Sequence, residues 1–428
     1  MIKMKYQIIA VLALLFLLGS KGISQPLSLD SCIAKAERAY PLVQKYDLIE
    51  QSKEYSISNA QKGYLPQITI AGYSSYQSDI LTFPFEFPGA ELEPLRQDLH
   101  NFYGEVNQPI TDLFTQKNQT EKAEISAEID RQSLEVDMYQ LRDRVNQIYF
   151  GILLIDAQIK QSELLKNDVQ SGIDRTETAI ENGIALKSSA DVLRVELLKI
   201  DQRIIELESN KRGFTDMLSL FINEAISNET QFTKPLTQAL PTVINRPELL
   251  LFELQKTSLD VQSRMTANRT LPKLSAFFQG GVGAPGLNVI DNDPAAYYIA
   301  GLRLNWNISS FYTSGKEKRI IEMNRQSLNV QRDVFLFNTD VALKQQNAEI
   351  EKIEKLIYTD DEIIAMRSKI KVTTKNQLEN GTATTTDFVT QVNAEDQAKQ
   401  NRILHEIQLL KAQYDYLQTS GTPSQNGM

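Results

Sequence analysis

The 428-residue chain carries few groups able to do chemistry: one Cys, Cys32, and two His, His100 and His405. That excludes a disulfide framework and zinc sites built on Cys and His, and it removes most histidine-based catalysis. Several stretches imitate functional motifs. Gly280-Gly281-Val282-Gly283-Ala284-Pro285-Gly286 has the glycine density of a phosphate-binding loop. It lacks the following Lys-Ser/Thr and no helix pattern follows, so it reads as a strand end and loop. Ser314-Gly315-Lys316 has no matching upstream Gly, and His405-Glu406 has no second His four residues on. Asp291-Asn292-Asp293 could touch a cation but reads better as a solvated Asx turn. With no nucleophile–base pair, the chain is expected to be a non-enzyme that needs no cofactor and no metal. A net charge of −9 leaves no basic stripe to replace phosphate counterions, which argues against a nucleic-acid partner.

A hydrophobic content of 42% with 23% charged residues supports a packed fold. At the N-terminus, Lys3 and Lys5 precede an apolar run from Ile8 to Leu18, and Gly22-Ile23-Ser24 supplies small residues for cleavage before Gln25. Residues 1–24 therefore read as a secretory signal peptide. Cys32 lies far past that run, inside an amphipathic helix, which argues against lipoprotein processing. No other segment is apolar for 18 residues, so a membrane-embedded mature chain must be a β-barrel.

The chain also repeats itself. Tyr40-Pro41-Leu42 through Leu65-Pro66 lines up with Arg246-Pro247-Glu248 through Leu271-Pro272 at a constant offset of 206. Asn107-Gln108-Pro109-Ile110 meets Asn305-Trp306-Asn307-Ile308, and Glu181-Asn182-Gly183 meets Glu379-Asn380-Gly381, both at 198. The shorter offset places length variation in the Pro/Gly-rich stretches Phe83–Gly89 and Gly283–Pro294, which are therefore loops. This divides the mature chain into a first repeat, 25–227, a linker, 228–245, and a second repeat, 246–428.

Each repeat reads helix, strand, loop, strand, very long helix, turn, helix. The first helix is predicted from Ser28 to Tyr64, with Pro41 as a kink or junction. The long helix is predicted from Asp112 to Ile180. In it Leu134, Met138, Leu141, Val145, Ile148, Ile152, Ile155 and Ile159 alternate spacings of four and three, a heptad seam. Leu336, Leu343, Ile350, Ile357 and Ile364 recur every seven residues in the second repeat, and Ile403, Ile407, Leu410, Tyr414 and Leu417 mark its last helix. A helix of about 70 residues is roughly 105 Å long, and two shorter helices end to end match it. Their junction is expected to pack against the irregular stretch 228–245.

Strand patterns alternate apolar and polar. Tyr298 to Ile308 is the clearest: Tyr298, Ala300, Leu302, Leu304, Trp306 and Ile308 share one face, and Gly301, Arg303, Asn305 and Asn307 the other. Leu274, Ala276, Phe278, Gly280 and Val282 oppose Ser275, Phe277, Gln279 and Gly281. Similar patterns surround Ile68-Thr69-Ile70 and Phe102 to Asn107. Runs of this length suit transmembrane strands. Four strands cannot close a barrel, and open edges are not tolerated in lipid, so several copies must share one.

With these features in place, the mature chain resembles the TolC family of outer-membrane efflux ducts. The opening Leu27-Ser28-Leu29-Asp30-Ser31-Cys32-Ile33-Ala34-Lys35-Ala36 resembles that family's first amphipathic helix, and Tyr40-Pro41 its end. Leu65-Pro66 and Leu271-Pro272 resemble its helix-to-strand junctions. Asn182-Gly183 with Asp191, and Asn380-Gly381 with Asp387, resemble its periplasmic helix turns. The resemblance implies a mixed α and β fold: a homotrimer with a 12-stranded barrel in the outer membrane above a coiled-coil helical tunnel in the periplasm. Its implied partners are outer-membrane lipid, a periplasmic adaptor (membrane fusion protein) and an inner-membrane transporter. Arg303 and Asn305 would face the barrel lumen.

The turns would form the tunnel's closed end, with Asn182, Gly183, Ala185, Leu186, Asp191, Asn380, Gly381, Thr382 and Ala383 meeting the adaptor. Gly183 and Gly381 fit helix C-caps, and Asp191 and Asp387 fit N-caps of the return helices. By resemblance, Asp387 and Thr390 would line the pore mouth. Thr390 stands where the family has a second Asp, and Leu378 and Ala383 stand at its gate-latch positions. The competing reading is a periplasmic coiled-coil adaptor or scaffold without a barrel.

Overall fold

The computed structural model describes residues 26–80, 96–227, 229–237, 239–288 and 290–421. The expected signal peptide, 1–24, and the stretch Phe83–Gly89 lie outside the described residues. Among the described residues eight helices and four strands follow one another: α1 (Leu29–Ala39), a single 3-10 turn (Pro41–Val43), α2 (Gln44–Lys62), β1 (Gln67–Tyr76), β2 (Asp98–Pro109), α3 (Asp112–Thr115), α4 (Lys117–Glu181), α5 (Lys187–Ile222), α6 (Pro247–Asn268), β3 (Lys273–Ala284), β4 (Ala295–Asn305), α7 (Ser310–Glu379) and α8 (Thr385–Ser420). The helix expected from Ser28 to Tyr64 is split by Pro41, whose missing N–H and fixed φ end α1 at Ala39.

The chain forms two compact units, and each draws on both sequence repeats. The first comprises 1–43, 135–247 and 335–428. Ser28 caps α1 by accepting from the Ser31 amide at 3.2 Å, and Leu29, Cys32 and Ala36 form the buried stripe it sets against α5. Seven of the eight residues of the α4 seam, Leu134 to Ile155, are buried, as are Ile407, Leu410, Tyr414 and Leu417 on α8. A heptad stripe excludes water only when a neighbouring helix presents another, and α8 supplies one. Further along, Leu165, Val169 and Ile173 of α4 cluster with Leu193 and Ile200 of α5 and with Val389 and Val392 of α8.

The irregular stretch after α5 is held by phenols. The Tyr149 hydroxyl lies 2.8 Å from the Leu27 carbonyl and 2.6 Å from that of Thr233, and Tyr416 donates to Pro241 at 3.1 Å. Leu27 pairs with Phe232 in a parallel bridge. Burial keeps Tyr149 in its neutral, donating form by pushing its pKa up.

The second unit comprises 44–134 and 248–334. It holds an antiparallel sheet of order β1-β2-β3-β4. β4 runs from Ala295 to Asn305 rather than from Tyr298 to Ile308. Its partner β3 begins at Lys273, because Pro272 has no N–H to extend the ladder. The Asn307 carbonyl then accepts from the Ser310 amide (3.3 Å) and hydroxyl (2.7 Å) and winds the chain into α7.

Candidate functional site

The register sorts the sheet into two chemically opposite faces. Ile68, Val106, Phe278 and Ala300 form one cross-strand row; Ile70, Gly104, Gly280 and Tyr298 form the next; Gly72, Phe102, Val282 and Ala296 a third. With Leu274, Leu304, Ala276 and Leu302 they make one face without a charge. Ile68, Ile70, Phe102, Tyr298, Leu302 and Leu304 are 66–76% exposed, so nothing among the described residues covers this face. An uncovered apolar surface of this extent marks contact with lipid or protein.

The other face is polar. Thr69, Glu105 and Gln279 share a row that Ile299 completes, and Tyr297 donates to Asn101 at 2.6 Å while receiving from Gln279 at 3.2 Å. Arg303 sends a fork across β3 to Glu105, Nη1 to Oε1 at 2.8 Å and Nη2 to Oε2 at 3.1 Å. Its guanidinium lies 4.5 Å from the Phe277 ring centroid. Arg303 and Asn305, both singled out from the sequence, stand on this polar face. Glu105 as the partner of Arg303 was not anticipated, because the pair is diagonal and spans a strand from the other repeat.

At the loop end of the apolar face the polarity changes. Ser74 Oγ is 2.8 Å from His100 Nδ1, and His100 Nε2 is 3.1 Å from Asp98 Oδ2. This Ser–His–Asp string stands on an open strand surface, and Arg96 also occupies Asp98 with bonds of 2.6 and 3.2 Å. The remaining histidine, His405, bonds Asp360 at 2.6 Å. Cys32 is fully buried, and burial pushes its thiol pKa up to about 12.

The two helix turns belong to the first unit and are built alike. Gly183 and Gly381 have φ of +70° and +73°, the left-handed region that glycine occupies without strain. The amides of Gly183 and Ile184 donate to Ile180 and Ala179; those of Gly381 and Thr382 donate to Leu378 and Gln377. Both are Schellman turns, which satisfy the last carbonyls of α4 and α7. Asn182 and Asn380 each reach back four residues, to Thr178 and Asn376, at 2.8 Å.

The starts of the return helices differ from the expectation. Neither Asp191 nor Asp387 is an N-cap. α8 is capped by Thr384, and Asp387 is the third residue of a capping box: its amide donates to Thr384 Oγ1 at 3.1 Å, and its Oδ2 accepts from the Thr384 amide at 2.9 Å. The Thr384 bonds hold the Asp387 carboxyl below the usual carboxylate range. α5 starts at Lys187 behind Leu186, which provides no side-chain cap. Asp191 instead bonds Arg194 at 3.2 Å, and Arg194 reaches Glu177 of α4 at 2.6 Å. A run of three threonines, Thr384 to Thr386, was the signal for the true cap.

Asp387 and Thr390 are both exposed one turn apart, and Thr390 Oγ1 donates to the Thr386 carbonyl at 2.8 Å. Of the proposed docking positions, Ala185 and Ala383 are half-buried and the others are exposed, and Ile184, unremarked in the sequence, is 79% exposed.

Comparison of the sequence with protein-family models and with characterised proteins finds no match. Solved structures do match. CusC, described with its folding and transmembrane channel formation, aligns with a TM-score of 0.68 at 12% identity over 92% of each chain. The outer membrane protein VceC of Vibrio cholerae gives 0.66 at 9% identity, over 92% of this chain and 96% of its own. The open MtrE outer membrane channel of Neisseria gonorrhoeae gives 0.66 at 11% identity, over 92% and 89%. Across nearly its whole length, the chain has the TolC-like fold of these outer-membrane channels.

Proposed function

We propose that the protein is an outer-membrane export duct: a homotrimer whose three sheets close one 12-stranded barrel, continued by a helical tunnel in the periplasm. The uncovered apolar face of the sheet carries this reading. Its outer strands, β1 and β4, end the hydrogen-bonded ladder on either side. In lipid every backbone polar group must be paired, so β4 of one copy has to meet β1 of the next. No helix among the described residues is long and apolar enough to cross a membrane. The stripes Val195, Leu198 and Ile205 on α5 and Leu356, Ile363 and Ile370 on α7 are also exposed, and they suit packing between copies that closes a ring.

The polar face with Arg303, Glu105 and Asn305 then lines the lumen, and Asp387 and Thr390 lie at the pore mouth. The turns around Gly183 and Gly381 meet a periplasmic adaptor, which connects the duct to an inner-membrane transporter. Residues 1–24 direct secretion and are removed. A barrel-less adaptor would leave the apolar sheet face in water, which disfavours that alternative. Sedimentation of the detergent-extracted protein, after outer-membrane fractionation, tests the reading. Three chains per particle are expected; a folded monomer extracted without detergent overturns it.

A further inference from the structure

We infer that the strand-to-helix junctions form a binding belt for the headgroups of anionic phospholipids in the leaflet beside the helices. The inference rests on the barrel reading above and concerns only the second unit. All four strands join helices at the same end, through Tyr64 to Pro66, Ile110 and Thr111, Thr270 to Pro272 and Trp306 to Ser309. At that end Phe114, Trp306 and Tyr312 are 81%, 53% and 79% exposed, the aromatic girdle that marks a membrane interface.

Two carboxylates there, Asp112 and Glu317, are engaged by Lys273 and Arg269, and the charges nearest the strand ends that are left over are cations. Among the described residues, Lys62, Lys117, Lys316, Lys318 and Arg319 are exposed and have no ion-pair partner. Lys62 closes α2, Lys117 opens α4, and Lys316 lies in the second turn of α7. At 1.5 Å per residue all three sit within roughly 10 Å of the strand-side end of their helix, at the depth where headgroups lie. The loop end of the same sheet is the opposite: Asp79, Asp98, Asp291 and Asp293 outnumber Arg96, which Asp98 already engages. An unpaired cation near an anionic surface is attracted to it, and several at one depth act together. The belt therefore favours phosphatidylglycerol-type headgroups on the helix side only, which also fixes the direction in which the barrel spans the membrane.

The test uses the full-length protein in nanodiscs of equimolar phosphatidylethanolamine and phosphatidylglycerol. Lipid retained after detergent release is counted by native mass spectrometry. Wild type should retain phosphatidylglycerol over phosphatidylethanolamine by roughly fivefold or more, the factor expected from even one such cation. The variant Lys62→Gln/Lys117→Gln/Lys316→Gln should retain the two equally, and Lys62→Arg/Lys117→Arg/Lys316→Arg should match wild type. High salt should erase the preference in wild type itself, a readout that needs no variant. Retention in the bulk ratio by wild type overturns the belt, as does an unchanged preference in the Gln variant. Failure to enter nanodiscs overturns the barrel reading instead.

Discussion

Arg303 and Glu105 lie on strands that are not neighbours, and they meet diagonally across β3 over the ring of Phe277. Each repeat supplies one member of the pair. The contact is bidentate but water-facing, with Arg303 about half exposed. Its contribution to stability is therefore small, about 1 kcal/mol or less. Its effect on ions is larger, because a ring of three such pairs sets the local charge of the proposed lumen. Arg303→Ala should assemble like wild type and shift the reversal potential in planar bilayers toward cations. Glu105→Gln should shift it toward anions. Identical selectivity in both variants would place the pair outside the conducting path.

The apolar face gives a depth-dependent prediction. Leu304 is the penultimate residue of β4, whereas Ala300 is at its centre, between Phe278 and the open edge. Arg in a lipid-facing position costs about 2–4 kcal/mol at mid-membrane and about 0–1 near an interface. Ala300→Arg should therefore block outer-membrane assembly, while Leu304→Arg should only reduce it. A strand from Tyr298 to Ile308, as the alternation suggests, would centre beside Leu304; the observed strand, Ala295–Asn305, centres on Ala300. Heat-resistant oligomer in outer-membrane fractions measures both, and equal assembly of the two variants would defeat the assignment of the face.

The helices separate folding from assembly. Leu141 and Ile148 are buried within a single copy, at 3% and 8% exposure. Leu141→Ala should cost about 2–5 kcal/mol, and Leu141→Asp or Ile148→Asp should prevent the protomer itself from folding, since the charge has no partner in the seam. Ile363, on the uncovered stripe of α7, behaves differently: Ile363→Asp should leave helicity by circular dichroism intact and remove only the oligomer. Loss of helicity in that variant would show that the stripe is not a surface between copies.

These contrasts show what the sequence carried. Burial periodicity is local, so the α4 seam from Leu134 to Ile155 and the alternation in all four strands were readable, and so was the duplication that aligns Pro66 with Pro272. Cap chemistry was harder, because Asp occupies the N-cap and the third helical position almost equally well, and the one pointer to Thr384 was the threonine run that begins three residues before Asp387. The bonds from Arg303 to Glu105 and from His100 to Ser74 depend on strand register between distant segments, which no spacing in one chain reveals. The exposure of Ile184 depends on the direction in which the Schellman turn releases the chain.

Both turns require a positive φ, which proline cannot adopt. Gly183→Pro together with Gly381→Pro should abolish export in cells while the barrel remains in the outer membrane. The measurement pairs substrate accumulation with membrane fractionation, and retained export would show that the turns are dispensable for docking.

Asp387 completes a capping box and, in the proposed duct, would also line the pore mouth, and pH distinguishes the two roles. Its carboxyl is held below the ordinary value of 3.8 by the Thr384 hydroxyl and amide bonds. A depressed folded pKa contributes stability that is complete above the unfolded pKa and is lost as pH falls through the folded one. The charge therefore persists through the neutral and mildly acidic range, and so does any cation preference set by three Asp387 side chains near the axis. Asp387→Asn should lower cation preference in planar-bilayer recordings and make it insensitive to acid. Thr384→Ala removes the cap, costing about 1 kcal/mol, and returns the carboxyl toward its ordinary range while keeping the charge at neutral pH. Wild-type selectivity in Thr384→Ala with reduced selectivity in Asp387→Asn is the expected pattern. Unchanged selectivity in both would leave Asp387 with the capping box alone.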